Sequence, residues 1–245
     1  MIVKDELSRY LPLTIDALLT FCDEVAVIDD YSSDGTYDYL LSRQRVVVRT
    51  NPAVTFDEHE GKARQALLDL VRECSPTHVL AIDADEFVND GQMLRAQIAA
   101  VPKAPVWSLE MQEVWKADEE RLWIRQDGGW RAHEVPILWR PGPEESWWRI
   151  RDRALACGRE PEAVSELRVK ARLSRVAILH FGWTNLTERQ RRYDRYMAID
   201  NGAFHASNHL RSIMWPERKI RLRSRTWPMS MERERVLSAV REVRG

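Results

Sequence analysis

The sequence has few of the features that mark secreted or membrane proteins. Its three cysteines, Cys22, Cys74 and Cys157, are widely spaced and fit neither a zinc site nor a disulfide framework. No apolar run approaches ~18 residues, and the N-terminus has no apolar segment typical of a signal peptide. We therefore expect a cytoplasmic protein without a transmembrane segment.

The sequence also lacks a large net charge, because its formal net charge is -1 at pH 7. The charges are nevertheless unevenly distributed: residues 184–245 contain 14 Lys and Arg against 7 Asp and Glu, whereas the preceding residues contain 23 against 31. If residues 219–225 form a strand, Lys219, Arg221, Arg223 and Arg225 lie on one face. Such a face predicts either packing against the acidic part of the chain or an anionic partner, such as DNA, a glycan or a lipid head group.

Strand and helix patterns alternate over the first hundred residues. We predict strands at 24–28, 45–49 and 79–87 and helices at 11–21, 36–42, 56–74 and 91–100. Short strands that alternate with helices are typical of a doubly wound sheet, mostly parallel and flanked by helices.

After Pro105 the pattern changes, because seven of the ten tryptophans lie between residues 107 and 148. We expect a mixed or antiparallel extension there. Most of its tryptophans should be core, since Trp buries a large area, and an exposed Trp would suit stacking on a sugar ring. We divide the chain into a catalytic domain at 1–183, with halves 1–104 and 105–183, and a basic, mainly helical extension at 184–245.

The most informative stretch is VLAIDADEF at residues 79–87. Its apolar start predicts a buried strand, and ligands of open α/β sheets bind at the carboxyl ends of the strands. On a continuous strand Asp83 and Asp85 would share one side. Two adjacent carboxylates repel each other unless a cation lies nearby, so the pattern predicts a divalent metal. We expect Asp85 to bind this metal and Asp83 to belong to the nucleotide site. Alternatively, the acids cap the next helix or are solvated.

Two further segments suggest a nucleotide site. VAVIDDYSSDGT at residues 25–36 places Asp29 and Asp30 after a second strand, where a carboxylate accepts a hydrogen bond from a pyrimidine N–H or a ribose hydroxyl. EGKARQA at residues 60–66 places Arg64 early in a helix, from which a guanidinium reaches a diphosphate with bidentate geometry. A solvated helix face is the alternative for Lys62 and Arg64.

ILHFGW at residues 178–183 places His180 at the end of an apolar strand. Neutral imidazole is a common metal ligand, so His180 is a candidate second ligand beside Asp85. A lone histidine is more often structural, and that alternative stays open.

These segments, in this order, resemble the nucleotide-sugar-dependent glycosyltransferases of the GT-A fold, specifically the family-2-like group. The segments are VKDE at residues 3–6, VIDDYSSDGT, AIDADEF, and ILHFGW followed by RQRRYDRY. The resemblance covers roughly residues 1–200. It implies a GT-A-like sheet, a nucleoside-diphosphate sugar such as a UDP-sugar as donor, and a bound Mn²⁺ or Mg²⁺. It also implies direct displacement with inversion at the sugar.

The resemblance places the catalytic base within or just before GGWRAHEVPILWR, residues 128–140. Glu134 and Asp127 are the candidates, and His133 is an alternative to Glu134, because neighbouring residues of a strand face opposite ways. A nucleotidyltransferase is the competing enzyme class, although no glycine-rich phosphate loop is visible near the N-terminus. A catalytically silent module that binds glycan or nucleic acid is the competing non-enzymatic class.

Overall fold

The computed structural model of the chain describes residues 1–52, 54–154, 157–167, 170–200, 207–229 and 231–242. The chain divides into two compact units. The first unit comprises Met1–Ala84, Asp90–Leu109 and Glu134–Val176, and the second comprises Asp85–Asn89, Glu110–His133 and Ala177–Gly245.

The strands are β1 (Ile2–Val3), β2 (Val25–Asp29), β3 (Val46–Thr50), β4 (Val79–Leu80), β5 (Glu86–Val88), β6 (Val106–Ala117), β7 (Arg121–Arg125), β8 (His133–Trp139), β9 (Ala171–His180) and β10 (Leu222–Thr226). The helices are α1 (Leu11–Leu18), α2 (Thr36–Leu41), α3 (Glu60–Glu73), α4 (Gly91–Ala100), α5 (Glu162–Glu166), α6 (Leu186–Asp200), α7 (Ser207–Ser212) and α8 (Arg233–Glu242).

Local sequence signals explain where several elements begin. Helix α4 begins where predicted, because the Asp90 side chain accepts a hydrogen bond from the Met93 N–H at 2.9 Å and caps the helix. Helix α1 has Pro12 in its first turn, where a missing N–H costs nothing. Strands β2 and β3 are rich in valine and pair in parallel, with Val25 opposite Val46 and Asp29 opposite Thr50.

The prediction of a mostly parallel, GT-A-like doubly wound sheet is wrong. The parallel sheet has three strands, in the order β1-β2-β3. The larger sheet has seven strands, and its pairings β4–β8, β5–β9, β6–β7 and β7–β10 are all antiparallel. The strands from β6 to β8 follow one another with no α-helix between them, and short connections join antiparallel neighbours.

The stretch VLAIDADEF is not one strand. It forms β4 and β5, which are separated by residues 81–85 and pair with different partners, β8 and β9. The expectation that Asp83 and Asp85 share one strand face is therefore also wrong, because neither residue belongs to a strand.

Each unit has its own hydrophobic core. In the first unit a cluster of buried side chains includes Leu68, Val106 and Trp139. In the second unit Trp115, Trp130 and Trp183 pack with Leu210 and Ile213. Within the Trp-rich segment Trp107, Trp115, Trp130 and Trp139 are buried, as expected of core residues.

The basic segment forms a shorter strand than predicted. Lys219 belongs to a 3-10 turn (Glu217–Lys219) and Arg221 precedes β10, so only Arg223 and Arg225 alternate on the strand. Arg225 is half-buried and donates a hydrogen bond to Gln112, whereas Lys219, Arg221 and Arg223 are exposed. None of the helices in the described part of the chain is both long enough and apolar enough to span a bilayer.

Candidate functional site

The first unit places two buried acids at the carboxyl end of β2. Asp30 is fully engaged: its Oδ1 accepts a hydrogen bond from the Asn51 side-chain amide at 2.6 Å, and its Oδ2 accepts one from the Phe56 N–H at 3.1 Å. Asn51 directly follows β3, so these bonds tie together the ends of two parallel strands.

Asp29 differs from Asp30 in having one unused acceptor. Its Oδ2 accepts a hydrogen bond from the Ser32 N–H at 3.0 Å. Its Oδ1 is buried and has no hydrogen-bond partner among the described residues, although Asp29 is only 2% exposed. A buried carboxylate oxygen without a donor is costly, so this atom is suited to accept a hydrogen bond from a bound molecule.

Arg64 and Asp83 line a cavity of about 740 Å³ in the first unit. The Arg64 side chain is held by Glu60, with Nε 2.7 Å from Oε1, and its guanidinium lies 5.2 Å from the centre of the Phe56 ring. Asp83 pairs with Arg159, which also lines the cavity, at 3.5 Å. The guanidinium groups of Arg64 and Arg159 and the carboxylate of Asp83 are therefore among the charged groups that line this cavity.

The second unit brings Asp85 and His180 together. Asp85 directly precedes β5 and His180 ends β9, and the antiparallel pairing of these strands places Glu86 opposite His180. The Nε2 atom of His180 lies 3.5 Å from Oδ2 of Asp85, and both side chains are almost fully buried. Asp85 and His180, the two predicted metal ligands, are thus neighbours.

Arg192 completes this cluster. It lies on α6, and its guanidinium forms a short ion pair with Oδ2 of Asp85 while lying 5.1 Å from the Trp183 ring centre. A Cβ atom at Gly182 would lie 2.5 Å from Asp85 Oδ2 and 2.7 Å from both His180 Nε2 and Arg192 Nη2. The three polar groups therefore converge on a position that only glycine leaves open.

The other ring nitrogen of His180 is bound by Glu113, an acid of β6. Nδ1 of His180 lies 2.6 Å from Oε2 of Glu113. Burial works against the charged imidazolium, but the charges of Glu113 and Asp85 outweigh it and raise the pKa of His180 well above its usual value. Burial likewise opposes ionisation of Glu113, yet His180 lowers the pKa of that carboxyl. Both shifts favour the charged pair, an imidazolium beside carboxylates, when no other ligand is bound.

The cluster fits a divalent metal with few protein ligands. Among the described residues, no group of three or more His, Cys, Asp and Glu side chains is arranged to hold a metal ion. A separation of 3.5 Å nevertheless suits two ligands of one ion, each ~2.0–2.6 Å from it. Mg²⁺ commonly uses one or two side chains and completes its shell with water and substrate phosphates. Such an ion would replace Arg192 on Asp85 and the Nε2 proton of His180.

The two candidate bases have different surroundings. In the first unit, Glu134 is partly exposed and pairs with the exposed Arg172 at 3.3 Å. In the second unit, both carboxylate oxygens of Asp127 accept hydrogen bonds from Arg125, at 3.0 and 2.9 Å, and Oδ1 also accepts the Arg221 N–H. Burial works against ionisation, but these bonds lower the pKa of Asp127, which makes it a weak proton acceptor.

Glu113, Arg192 and Gly182 were not identified from the sequence. Glu113 carries a weak signal, because it is an acid that directly precedes Val114 and Trp115. Arg192 lies within RQRRYDRY, where its arginine neighbours on the same helix make it indistinguishable by pattern. Gly182 follows His180 by two residues, and a glycine beside a candidate ligand is a weak signal for close packing.

Comparison with known proteins identified similar proteins whose function is not described. No protein-family model matches the chain. An uncharacterized protein of Mycobacterium tuberculosis and one of Mycobacterium bovis are each 29% identical to this chain over 200 residues, which is 79% of this chain and 48% of the relative. The chain thus spans about half the length of these curated relatives.

Proposed function

We propose that this chain is the catalytic part of an inverting, metal-dependent glycosyltransferase whose donor is a nucleoside-diphosphate sugar, most simply a UDP-sugar. The observation that carries the proposal is the convergence of Asp85, His180 and Arg192 on Gly182. A carboxylate, an imidazole and a guanidinium are the groups expected where a metal and a diphosphate bind together. The resemblance of VIDDYSSDGT, AIDADEF and ILHFGW to family-2-like enzymes supports the same function.

The first unit, taken by itself, carries groups suited to a nucleotide. The unused Oδ1 of Asp29 would accept a hydrogen bond from a base N–H or a ribose hydroxyl, and Asp30 is held in place by Asn51. Arg64 and Arg159 supply positive charge next to Asp83, which suits a diphosphate. An analogue without a donor for Asp29 would leave a buried carboxylate unpaired, and this penalty provides selectivity.

The second unit, taken by itself, carries the proposed metal ligands, Asp85 and His180. When bound, the metal would neutralise the charge that develops on the leaving diphosphate as the sugar–oxygen bond breaks. Arg192, once displaced from Asp85, is available to donate to a phosphate oxygen.

The base removes the proton of the acceptor hydroxyl while the hydroxyl oxygen attacks the anomeric carbon. We assign this role to Glu134, because Asp127 is held by Arg125 and has a lowered pKa. Glu134→Gln keeps the shape and removes the proton acceptor, so turnover should fall ~10²–10⁴-fold while donor binding is preserved.

We further propose an acceptor that carries phosphate. Lys219, Arg221 and Arg223 are exposed, and none of them forms a side-chain ion pair within the described residues. Attraction between such a surface and an anion weakens as salt screens it. The Michaelis constant for the acceptor should therefore rise with ionic strength, and a constant value would exclude this surface as an acceptor site.

The direct test is calorimetric titration of UDP in Mn²⁺ and in EDTA. Asp29→Asn should weaken UDP binding in both conditions by ~1.5–3 kcal/mol, because a hydrogen bond to a charged acceptor is lost. Asp85→Ala should remove only the part of the affinity that depends on Mn²⁺. Asp38→Asn, which changes an exposed acid of the first unit, is the control and should bind as the wild type does. Unchanged Mn²⁺-dependent affinity in Asp85→Ala would refute the metal assignment.

A further inference from the structure

Glu113 is a buried acid to which the proposed reaction gives no role. Its side chain is 12% exposed, and its neighbours in β6 include the buried residues Met111, Val114 and Trp115. A carboxylate in such surroundings needs a close cationic or hydrogen-bonding partner. His180 is that partner, at 2.6 Å, across 67 residues of sequence.

This contact fixes the orientation of the imidazole. With Nδ1 bound to Glu113, Nε2 is the nitrogen that faces Asp85 and the space beside Gly182. Rotating the ring by half a turn about its bond to Cβ would break the bond to Glu113 and move Nε2 away from Asp85. The arrangement matches the general pattern in which a histidine ligand gives its second N–H to a carboxylate, which sets the tautomer and increases the ligand's basicity.

We infer that Glu113 is a positioning residue that holds His180 with Nε2 directed at a divalent metal and thereby sets the affinity of the site for that metal. The inference rests on the proposed metal site at Asp85 and His180. It adds to the site a third residue and second acid, one that touches neither metal nor substrate. A buried ion pair with a purely structural role would stabilise the fold without changing metal affinity in a protein that remains folded.

Titration with Mn²⁺ alone, without nucleotide, separates these two roles. Glu113→Gln keeps the size of the side chain and a hydrogen-bond acceptor but removes its charge. We expect its Mn²⁺ affinity to fall ~10–100-fold, as is typical when the outer partner of a histidine ligand is altered. Glu110→Gln, an acid of the same strand, is the matched control and should keep the wild-type affinity. UDP affinity in EDTA should be the same in all folded variants.

The failure of this inference can be told apart from failure of the proposed function. If His180→Ala and Asp85→Ala lose Mn²⁺ binding while Glu113→Gln keeps it, Glu113 has no positioning role and the metal site stands. If all three variants bind Mn²⁺ as the wild type does, the metal site itself is refuted, and the role of Glu113 with it.

A second measurement uses the wild-type protein, so the inference stays testable if Glu113→Gln does not fold. Nitrogen-15 spectra of the histidine rings, recorded with Zn²⁺ as a diamagnetic probe, report which ring nitrogen binds metal. We expect Nε2 of His180 to shift on metal binding while Nδ1 keeps its proton. Metal bound through Nδ1, or a His180 ring unaffected by the metal, would overturn the inference.

Discussion

Replacing Gly182 with alanine adds one methyl group at the point where three polar side chains meet. The new Cβ would lie 2.5 Å from Asp85 Oδ2 and 2.7 Å from both His180 Nε2 and Arg192 Nη2. Carbon atoms do not approach oxygen or nitrogen this closely without a bond, so Asp85 would have to move by about half an ångström or more to reach 3.0 Å. The side chains around it are packed, and no single movement relieves all three contacts.

The expected cost follows from this crowding. Overpacking of a well-packed site typically costs ~1–3 kcal/mol of unfolding free energy. For a protein of this size each kcal/mol lowers the melting temperature by ~2–4 °C. Gly182→Ala should also weaken Mn²⁺ binding, because the two predicted ligand atoms move relative to each other. Thermal unfolding and titration with Mn²⁺ measure the two effects independently.

Gly129→Ala is the control for this prediction. Its Cβ would meet the Nδ1 atom of His209 at 2.9 Å, which is one movable side chain rather than three charged ones. It should cost less stability than Gly182→Ala and leave Mn²⁺ affinity unchanged. Wild-type stability and wild-type Mn²⁺ affinity in Gly182→Ala would show that the three polar groups do not converge there.

Two further predictions concern the same cluster. Because the pKa of His180 is raised on folding, its protonation stabilises the fold fully below about pH 6.5, and this contribution is lost as pH rises through the folded-state pKa. Because the pKa of Glu113 is lowered on folding, its ionisation stabilises the fold above about pH 4.5, and this contribution is lost as pH falls through the folded-state pKa. In urea denaturation, the difference in stability between wild type and His180→Gln should therefore be largest between about pH 4.5 and pH 6.5. A larger difference at alkaline pH would contradict a charged pair between His180 and Glu113. Arg192→Met removes the guanidinium that pairs with Asp85, so it should raise Mn²⁺ affinity in the absence of nucleotide. A lower affinity would rule out competition between Arg192 and the metal.

Local sequence signals were sufficient for the elements whose partners are close in sequence. The predicted strands at 24–28 and 45–49 and the helix at 91–100 agree with β2, β3 and α4 to within one residue at each end. Valine-rich runs between turns and the cap at Asp90 are properties of the segments themselves, so pattern alone identifies them.

The division of residues 79–87 into two strands depends on pairing partners that are distant in sequence, so the local pattern did not reveal it. Glu86–Val88 pairs with Ile178–His180, about ninety residues later, and this pairing separates β5 from β4. Nothing within residues 79–87 indicates that the stretch is divided, because its apolar residues are compatible with one continuous strand. Whether neighbouring strands run parallel or antiparallel depends likewise on how they are connected. No α-helix lies between β6 and β8, and short connections of this kind favour the antiparallel pairing seen in the larger sheet.

The same distinction applies to the candidate site. Asp29, Asp30, Asp85 and His180 were identified because acids or a histidine follow apolar strands. Arg192 could not be identified in this way, because its ion pair with Asp85 joins residues 107 positions apart. This ion pair depends on α6 lying next to Asp85 in the folded protein, and no local sequence pattern encodes that placement.

The most direct test of the central claim is release of nucleoside diphosphate from nucleotide sugars. The wild-type protein would be incubated with a panel of UDP- and GDP-linked sugars in Mn²⁺, in Mg²⁺ and in EDTA, and the released diphosphate quantified against Asp85→Ala. We predict metal-dependent release from at least one donor, which is slow without acceptor and absent in Asp85→Ala. If the protein neither releases diphosphate from any of these donors nor binds any of them, with either metal, the assignment of this chain as a glycosyltransferase is contradicted.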